Sequence, residues 1–426
     1  MTGGAVLHRL FSEYSLLFRE NCSEMRINMR LFIYNWTFIT KYDLYLALDK
    51  QGIEYDLFTS GVSPRFDAQR AQFREEVDKA LEGKAYDAVF SVNFYEDLAN
   101  AANEKGILYI CWTYDSPSLG GVRSCHFLET NRIFLFDSGE YAEYQGYGIP
   151  NLYYLPLAVN ARRLNRMKPS PMEQMKYHAD VSLVGRLYQS DMDKMFPLFD
   201  EYGAGYIAAI INTQLGVYGT NIIKELVNDK VVSRICNQNV TDALIQNLNT
   251  AYHYDLDELK SWSFISFLLK AVTNKERVLL LTLLAKYFHV KLFTTEAPKI
   301  PNVNVYGTVD YVSEMPMIFK CSKINLNITL RSISHAIPQR VFDIMGCRAL
   351  VLTSYQKDLE KHFKDGRDLL VYSSMEEALD KCRYYLKHEK EAEKIRQNGY
   401  EIVKDQFSYE HQLNQIWEIS GLKGRQ

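Results

Sequence analysis

Cysteine is scarce and poorly spaced for cross-linking. The 426-residue chain has seven cysteines, at positions 22, 111, 125, 236, 321, 347 and 382, and no pair has C-x-x-C spacing. An odd, scattered set argues against a disulfide framework and against a zinc ribbon. Most of them sit in apolar runs such as "YICW" and "MGCRALVL", where cysteine behaves as a small hydrophobe. A reducing, cytoplasmic setting is the expected one. No H-E-x-x-H occurs among the nine histidines, so nothing points to a catalytic zinc. A basic footprint is also missing. Lys and Arg are interleaved with Asp and Glu, and the net charge is −3. A duplex-binding protein needs concentrated positive charge, so nucleic acid is not an expected partner.

Long apolar runs are absent as well. Stretches such as "RVLLLTLLAKYFHVKLF" are broken by charge, short of the roughly 18 to 20 residues of a membrane span. The first 25 residues lack the basic head, apolar stretch and small-residue cleavage site of a signal peptide. They hold "LHRLFSEYSLLFRE", which has some helical amphipathicity and is set aside as an N-terminal extension, either an anchor helix or a loosely packed start. There is no short internal repeat and no low-complexity segment. What the chain has in quantity is aromatic residues, 13 % with 30 tyrosines. That fits sugar-facing surfaces or simply a Tyr-rich core.

Length predicts two or three domains, at about 150 residues each. The first half alternates short apolar runs with helical patterns. "MRLFIY" (29–34), "YDLFTS", "YDAVFSV" (86–92), "ILYICW" (107–112), "RIFLF" (132–136) and "LYYLPL" (152–157) read as strands. Thr40-x-x-Asp43 has the form of a capping box opening a helix. Phe73, Val77, Ala80 and Leu81 fall at helical spacing. Such alternation predicts a doubly wound parallel sheet. Ligands on such sheets bind at the carboxyl ends of the strands, where "YNWT", "VNFYED" and "WTYDSPS" fall. After the Pro-containing linker "RMKPSPMEQ", "ADVSLVGRLY" opens a second unit. Residues 190–285 read as mostly helical. Strands resume with "HVKLFTT", "NVNVYG", "INLNITL", "RALVLTS" and "DLLVY", and amphipathic helices end the chain.

The stretch "SKINLNITLRSISHAIPQRVFDIMGCRALVLTSY" (322–355) crowds polar side chains between two buried strands. Pro338 stands where a helix opens, a favoured place for proline. Val341, Ile344 and Met345 form the core face of that helix. The preceding loop brings Asn327, Thr329, Arg331, Ser332 and Ser334 to its mouth. A helix N-terminus offers free N–H groups and partial positive charge, which suit an anion. Arg331 and Arg340 would add bidentate phosphate contacts, and Asp343 could accept from ribose hydroxyls. The same residues also fit a surface pair between Arg340 and Asp343, worth a few tenths of a kcal/mol, on a polar loop.

"YICWTYDSPS" (109–118), "YYLPLAVN" (153–160), "DVSLVGRLY", "SKINLNITLRS", "IPQRVFDIMGC" and "NGYEIVKDQFSY" together resemble the CgeB-like (spore-maturation-type) glycosyltransferases of bacteria. The resemblance runs from about residue 27 to 417. It implies an α/β, GT-B architecture: two Rossmann-like domains facing across a cleft, with a helical insertion in the C-terminal domain. The implied division is an N-terminal acceptor domain at 26–160, a donor domain at 161–405 with its helical region at about 190–285, and a C-terminal helix at 406–426 returning to the first domain.

The implied reaction moves a sugar from a nucleotide sugar, UDP-linked or another, to an acceptor hydroxyl on a glycan, protein or lipid, with no metal or other cofactor. By motif, Gly185, Arg186, Asn327, Arg331, Ser332, Arg340 and Asp343 would hold the donor, with Arg340 also stabilising the leaving diphosphate. Asp115 would act as general base, or else as an Asx-turn residue before Pro117. His126 is a second base candidate. Asn35, Trp36 and Asn93 would meet the acceptor, although Trp36 also fits a core position. Many retaining enzymes of this fold carry two glutamates eight positions apart. Here those positions read His335 and Asp343, so stereochemistry does not transfer. The alternative is a non-catalytic nucleotide-binding protein of the same fold, acting as a sensor or partner subunit.

Overall fold

The computed structural model describes residues 29–64, 67–119, 121–246 and 256–422. The proposed extension at 1–25 lies outside them. Six strands form the first sheet: β1 (Arg30–Tyr34), β2 (Glu54–Phe58), β3 (Ala88–Val92), β4 (Leu108–Trp112), β5 (Asn131–Leu135) and β6 (Leu152–Tyr154). Their order is β2-β1-β3-β4-β5-β6, and every pairing is parallel. The second sheet holds β7 (Ala179–Val184), β8 (Val290–Phe293), β9 (Val303–Tyr306), β10 (Ser322–Asn327), β11 (Val351–Ser354) and β12 (Leu370–Tyr372). Its order is β12-β11-β10-β7-β8-β9, again all parallel. Parallel sheets are covered on both faces, so their strands read as unbroken apolar runs. β3, "AVFSV", is buried at every position.

Two local expectations are corrected. Thr40 makes no side-chain cap for the helix Lys41–Lys50. Asp43, its supposed capping-box partner, is buried and takes two hydrogen bonds from the Arg163 guanidinium, both 2.7 Å, and one from Asn160 Nδ2 at 3.1 Å. A bidentate charged pair is far stronger than a cap. The stretch "RMKPSPMEQ", read as linker, folds at its end into the helix Pro171–Tyr177. Ser170 and Glu173 close a capping box there, with proline in the first turn.

Between β7 and β8 the chain is helical, ending in the long helix Leu256–Leu284. This region has its own core around Ile207, Ile211, Phe264, Leu268 and Val272. The final helix, Tyr409–Ile419, returns to the first sheet. Trp417 is fully buried, its ring 6.2 Å from Phe90 and its Nε1 donating to Gln51 at 3.0 Å. Lys50 and Glu410 pair at 3.0 Å beside it. Gly346 ends the helix Gln339–Gly346 where the chain crosses between domains; a Cβ there would stand 2.8 Å from Val159 Cγ2. Among the described residues no helix is long and apolar enough to cross a membrane.

Candidate donor cleft

Each sheet has a switch point where strand order reverses, between β1 and β3 in the first and between β7 and β10 in the second. Such points place a crevice at the carboxyl ends of the strands. The two crevices face each other. Ser116, after β4, and Ser332, after β10, exchange hydrogen bonds: Ser332 Oγ donates to the Ser116 carbonyl at 3.0 Å, and Ser116 Oγ to that of Ser332 at 3.2 Å. Asp137, after β5, caps the helix Ser138–Gly146 and also accepts from the backbone N–H groups of Ser334 (2.8 Å) and His335 (3.2 Å). Asp358 reaches back across the cleft to accept from Ser138 N at 3.2 Å. The loop after β10 is thus held by the first domain.

In the second domain the helix Gln339–Gly346 opens at Pro338, which supplies no side-chain cap. Arg340 sits in its first turn, with its Nη1 against Met315 Sδ and 3.7 Å from Asp343 Oδ2. Asp343 is 1 % exposed. It accepts from Tyr311 OH at 2.8 Å and Gln339 Nε2 at 3.0 Å. Burial pushes its carboxyl above the usual range, while the charge of Arg340 and these hydrogen bonds pull the other way. Gly185 ends β7, and Arg186 next to it stacks on Tyr188 with its charge half-exposed, 3.8 Å from Asp191.

The structure places three of the expected donor residues differently. Arg331 is not an open cation. It pairs with the fully buried Glu276 at 2.7 Å, donates to the Val217 carbonyl at 2.8 Å and lies over the Tyr218 ring. A buried carboxylate demands such a partner, so Arg331 anchors the loop. Asn327 is buried and bonds inward to Thr329 and Thr353 at 3.0 and 2.9 Å. Ser332 is spent on the clasp with Ser116.

The groups that carry the loops were missed at the sequence level. Lys270, Thr273, Asn274 and Arg277 form a polar stripe, at i, i+3, i+4 and i+7, along one side of the helix Leu256–Leu284. That period was the available signal. Thr273 Oγ1 accepts from Arg331 N at 3.0 Å, and Asn274 donates to the Leu187 carbonyl at 2.9 Å. Arg277 bridges the switch point, donating to the carbonyls of Arg186 and Ile328. Burial holds its guanidinium below the usual range, and the like charge of Arg340 acts in the same direction. Lys270 is lowered by burial too, with Arg186 pushing down and Asp191 pulling up. Positive charges are therefore crowded around this edge. Glu296, a further residue missed, accepts from the N–H groups of Tyr188 (3.0 Å) and Ser190 (3.2 Å) and fixes the turn after Gly185.

In the first domain Asp115 is exposed. Asn93, at φ 67°, donates to its carboxylate at 2.7 Å and accepts from the N–H groups of Tyr114 (2.8 Å) and Asp115 (3.2 Å). Asn93 is buried and acts as the brace of Asp115. Asn35 is bonded to Tyr45 and Thr59 at 3.0 and 2.9 Å. Trp36 donates to the Val92 carbonyl at 2.9 Å and packs on Phe38. His126 is fully buried, accepts from Arg123 N at 3.0 Å and packs on Phe94. Burial, with Arg123 adding to it, lowers its pKa to about 3, so the base assignment for His126 is withdrawn: the ring does not reach the cleft.

Two Rossmann-like parallel sheets facing across a crevice, with the C-terminal helix folded back on the first, define the GT-B class of glycosyltransferase folds. Residues 267–418, from the long helix to the last one, match the family described as "Glycosyl transferase-like". The fold is similar to that of sucrose-phosphate synthase from Thermosynechococcus elongatus, at 9% identity and TM-score 0.54, covering 92% of this chain and 98% of that one. It is also similar to Anabaena HepE, solved in complex with UDP and glucose, at 10% identity and TM-score 0.50, covering 92% of this chain and 99% of that one. No curated protein matches the sequence.

Proposed function

We propose that the protein is a CgeB-like glycosyltransferase that moves a sugar from a nucleotide-sugar donor to an acceptor hydroxyl. The observation that carries this reading is a coincidence of place. The glycosyl transferase-like match covers the loop after β10 and the helix Gln339–Gly346, and the crowded cations Arg186, Lys270, Arg277 and Arg340 converge on the same switch point. Breaking the anomeric C–O bond leaves a nucleoside diphosphate with added negative charge. Preorganised cations and a helix N-terminus stabilise such charge as it develops, and in this reading they stand in place of a metal. Arg340 and Arg186 meet the diphosphate; Gly185 lets the donor approach β7; Asp343, buried under Tyr311 and Gln339, holds Arg340 in place rather than meeting the ribose. Arg331, Asn327 and Ser332 shape the loop. Asp115, braced by Asn93, takes the acceptor proton. Closure of the cleft excludes water that would hydrolyse the donor.

The test is thermal melting against UDP, GDP, dTDP, ADP and CMP, with and without their sugars, followed by turnover of the best donor. HepE was solved with UDP, so UDP comes first. A ligand at 100 times its Kd adds about 2.7 kcal/mol. One nucleoside diphosphate should stand out, and Arg340→Ala should lose both its shift and turnover while still melting cooperatively. Binding without turnover would favour a sensor or partner subunit. Full activity in Arg340→Ala would remove the role given to that residue.

A further inference from the structure

A cavity of about 620 Å³ opens beside the clasp between the domains. Its volume lies in the range of small-molecule sites, roughly 300–1,000 Å³. Three parts of the chain build it. The turn after β4 and the helix Ser138–Gly146 supply Pro117 and Glu140, the loop after β10 supplies Ser332 and Ser334, and the long helix supplies Trp262 and Ser266. Further along that helix, Thr273 and Arg277 hold the donor loops. One rigid element therefore borders both this cavity and the switch point of the second sheet.

We propose that this cavity is the acceptor subsite and that its ligand is a neutral saccharide. The proposal rests on the glycosyltransferase reading above and deepens it. The lining has the chemistry that such a ligand needs. Trp262 and the exposed Tyr147 give its wall aromatic surface suited to the C–H faces of a sugar, and Ser266 and Ser334 add hydroxyls suited to its hydroxyl groups. Glu140 is 4 % exposed and rigidly aimed, accepting from Ser116 Oγ at 2.7 Å and Ser118 N at 3.0 Å. The cations of the lining are already neutralised: Arg123 pairs with Glu96 at 2.8 Å and Lys224 with Glu143 at 3.2 Å. An anionic acceptor would need cations in surplus.

Saturation-transfer NMR tests this with cellobiose, maltose and lactose at millimolar concentration on the full chain. Wild type, Trp262→Ala and Ser266→Trp are compared, the last filling the cavity should the first fold poorly. Melting shifts with the five nucleotides are recorded on the same samples. At least one disaccharide should give signal with wild type. Both variants should lower that signal at least tenfold and keep the nucleotide shift unchanged. Signal that survives both substitutions, or no disaccharide signal at all, overturns the proposal while leaving the nucleotide result to judge the donor reading. A Trp262-dependent saccharide signal with no nucleotide shift in wild type overturns the acceptor role, because the underlying glycosyltransferase reading then fails.

Discussion

Burial decides what the charged residues of this protein do, and Glu140 is the clearest case. Burial first, and the neighbouring Asp137 second, raise its pKa from 4.5 to about 7, against hydrogen bonds from Ser118 and Ser116. Below about pH 4.5 the group is protonated both folded and unfolded. Between 4.5 and 7 the folded chain keeps a proton that the unfolded chain has lost, so this group's contribution falls as pH rises. Over that window the loss amounts to at most about 3 kcal/mol. Glu140→Gln removes the titration. Its melting temperature relative to wild type should therefore climb between pH 5 and pH 8; parallel melting curves would contradict this. The same principle separates residues that sequence alone treats alike. Arg331 and Arg340 lie nine positions apart in one polar stretch, yet Arg331 neutralises Glu276 while Arg340 stays near the helix mouth.

At the scale of elements, the helix Leu256–Leu284 is the scaffold of the cleft. Its polar stripe holds the loops after β7 and β10 in place. Arg277→Met would leave the carbonyls of Arg186 and Ile328 without their charged donor. Hydrogen bonds to charged groups contribute about 1.5–3 kcal/mol, so stability should fall by about that amount. Amide exchange should speed up at 185–188 and 328–331 before it does elsewhere. Uniform acceleration across both sheets would instead mean that Arg277 supports the whole fold. The strands were legible because parallel sheets demand continuous apolar runs. The stripe was not, because polar residues along a helix acquire meaning only from what they face.

At the scale of the molecule, the two domains are joined by more than their linker. The last helix belongs to the core of the first sheet, together with Phe90, Ile110 and Phe134. Trp417→Ala should cost about 3–5 kcal/mol and destabilise the first domain in particular. Limited proteolysis should then cut within 30–154 before it cuts the second sheet. Preferential cutting of the second sheet would show that this helix does not support the first. The Ser116–Ser332 exchange and the two backbone bonds to Asp137 hold the loop after β10 from the opposite domain, so the geometry of that loop depends on how the domains meet.

The sequence by itself determined the alternation of strand and helix, the two parallel sheets and the polar loop between β10 and the helix Gln339–Gly346. These follow from local periodicity and from apolar runs, which are properties of neighbours along the chain. Only the tertiary structure decided which polar groups stay open. Asp43 is drawn to Arg163, Arg331 to Glu276, Asn93 to Asp115 and Ser332 to Ser116. Each partner is distant in sequence, by 22 positions at the least. Charge neutralisation in a buried site acts through space, and only the completed fold brings those partners together.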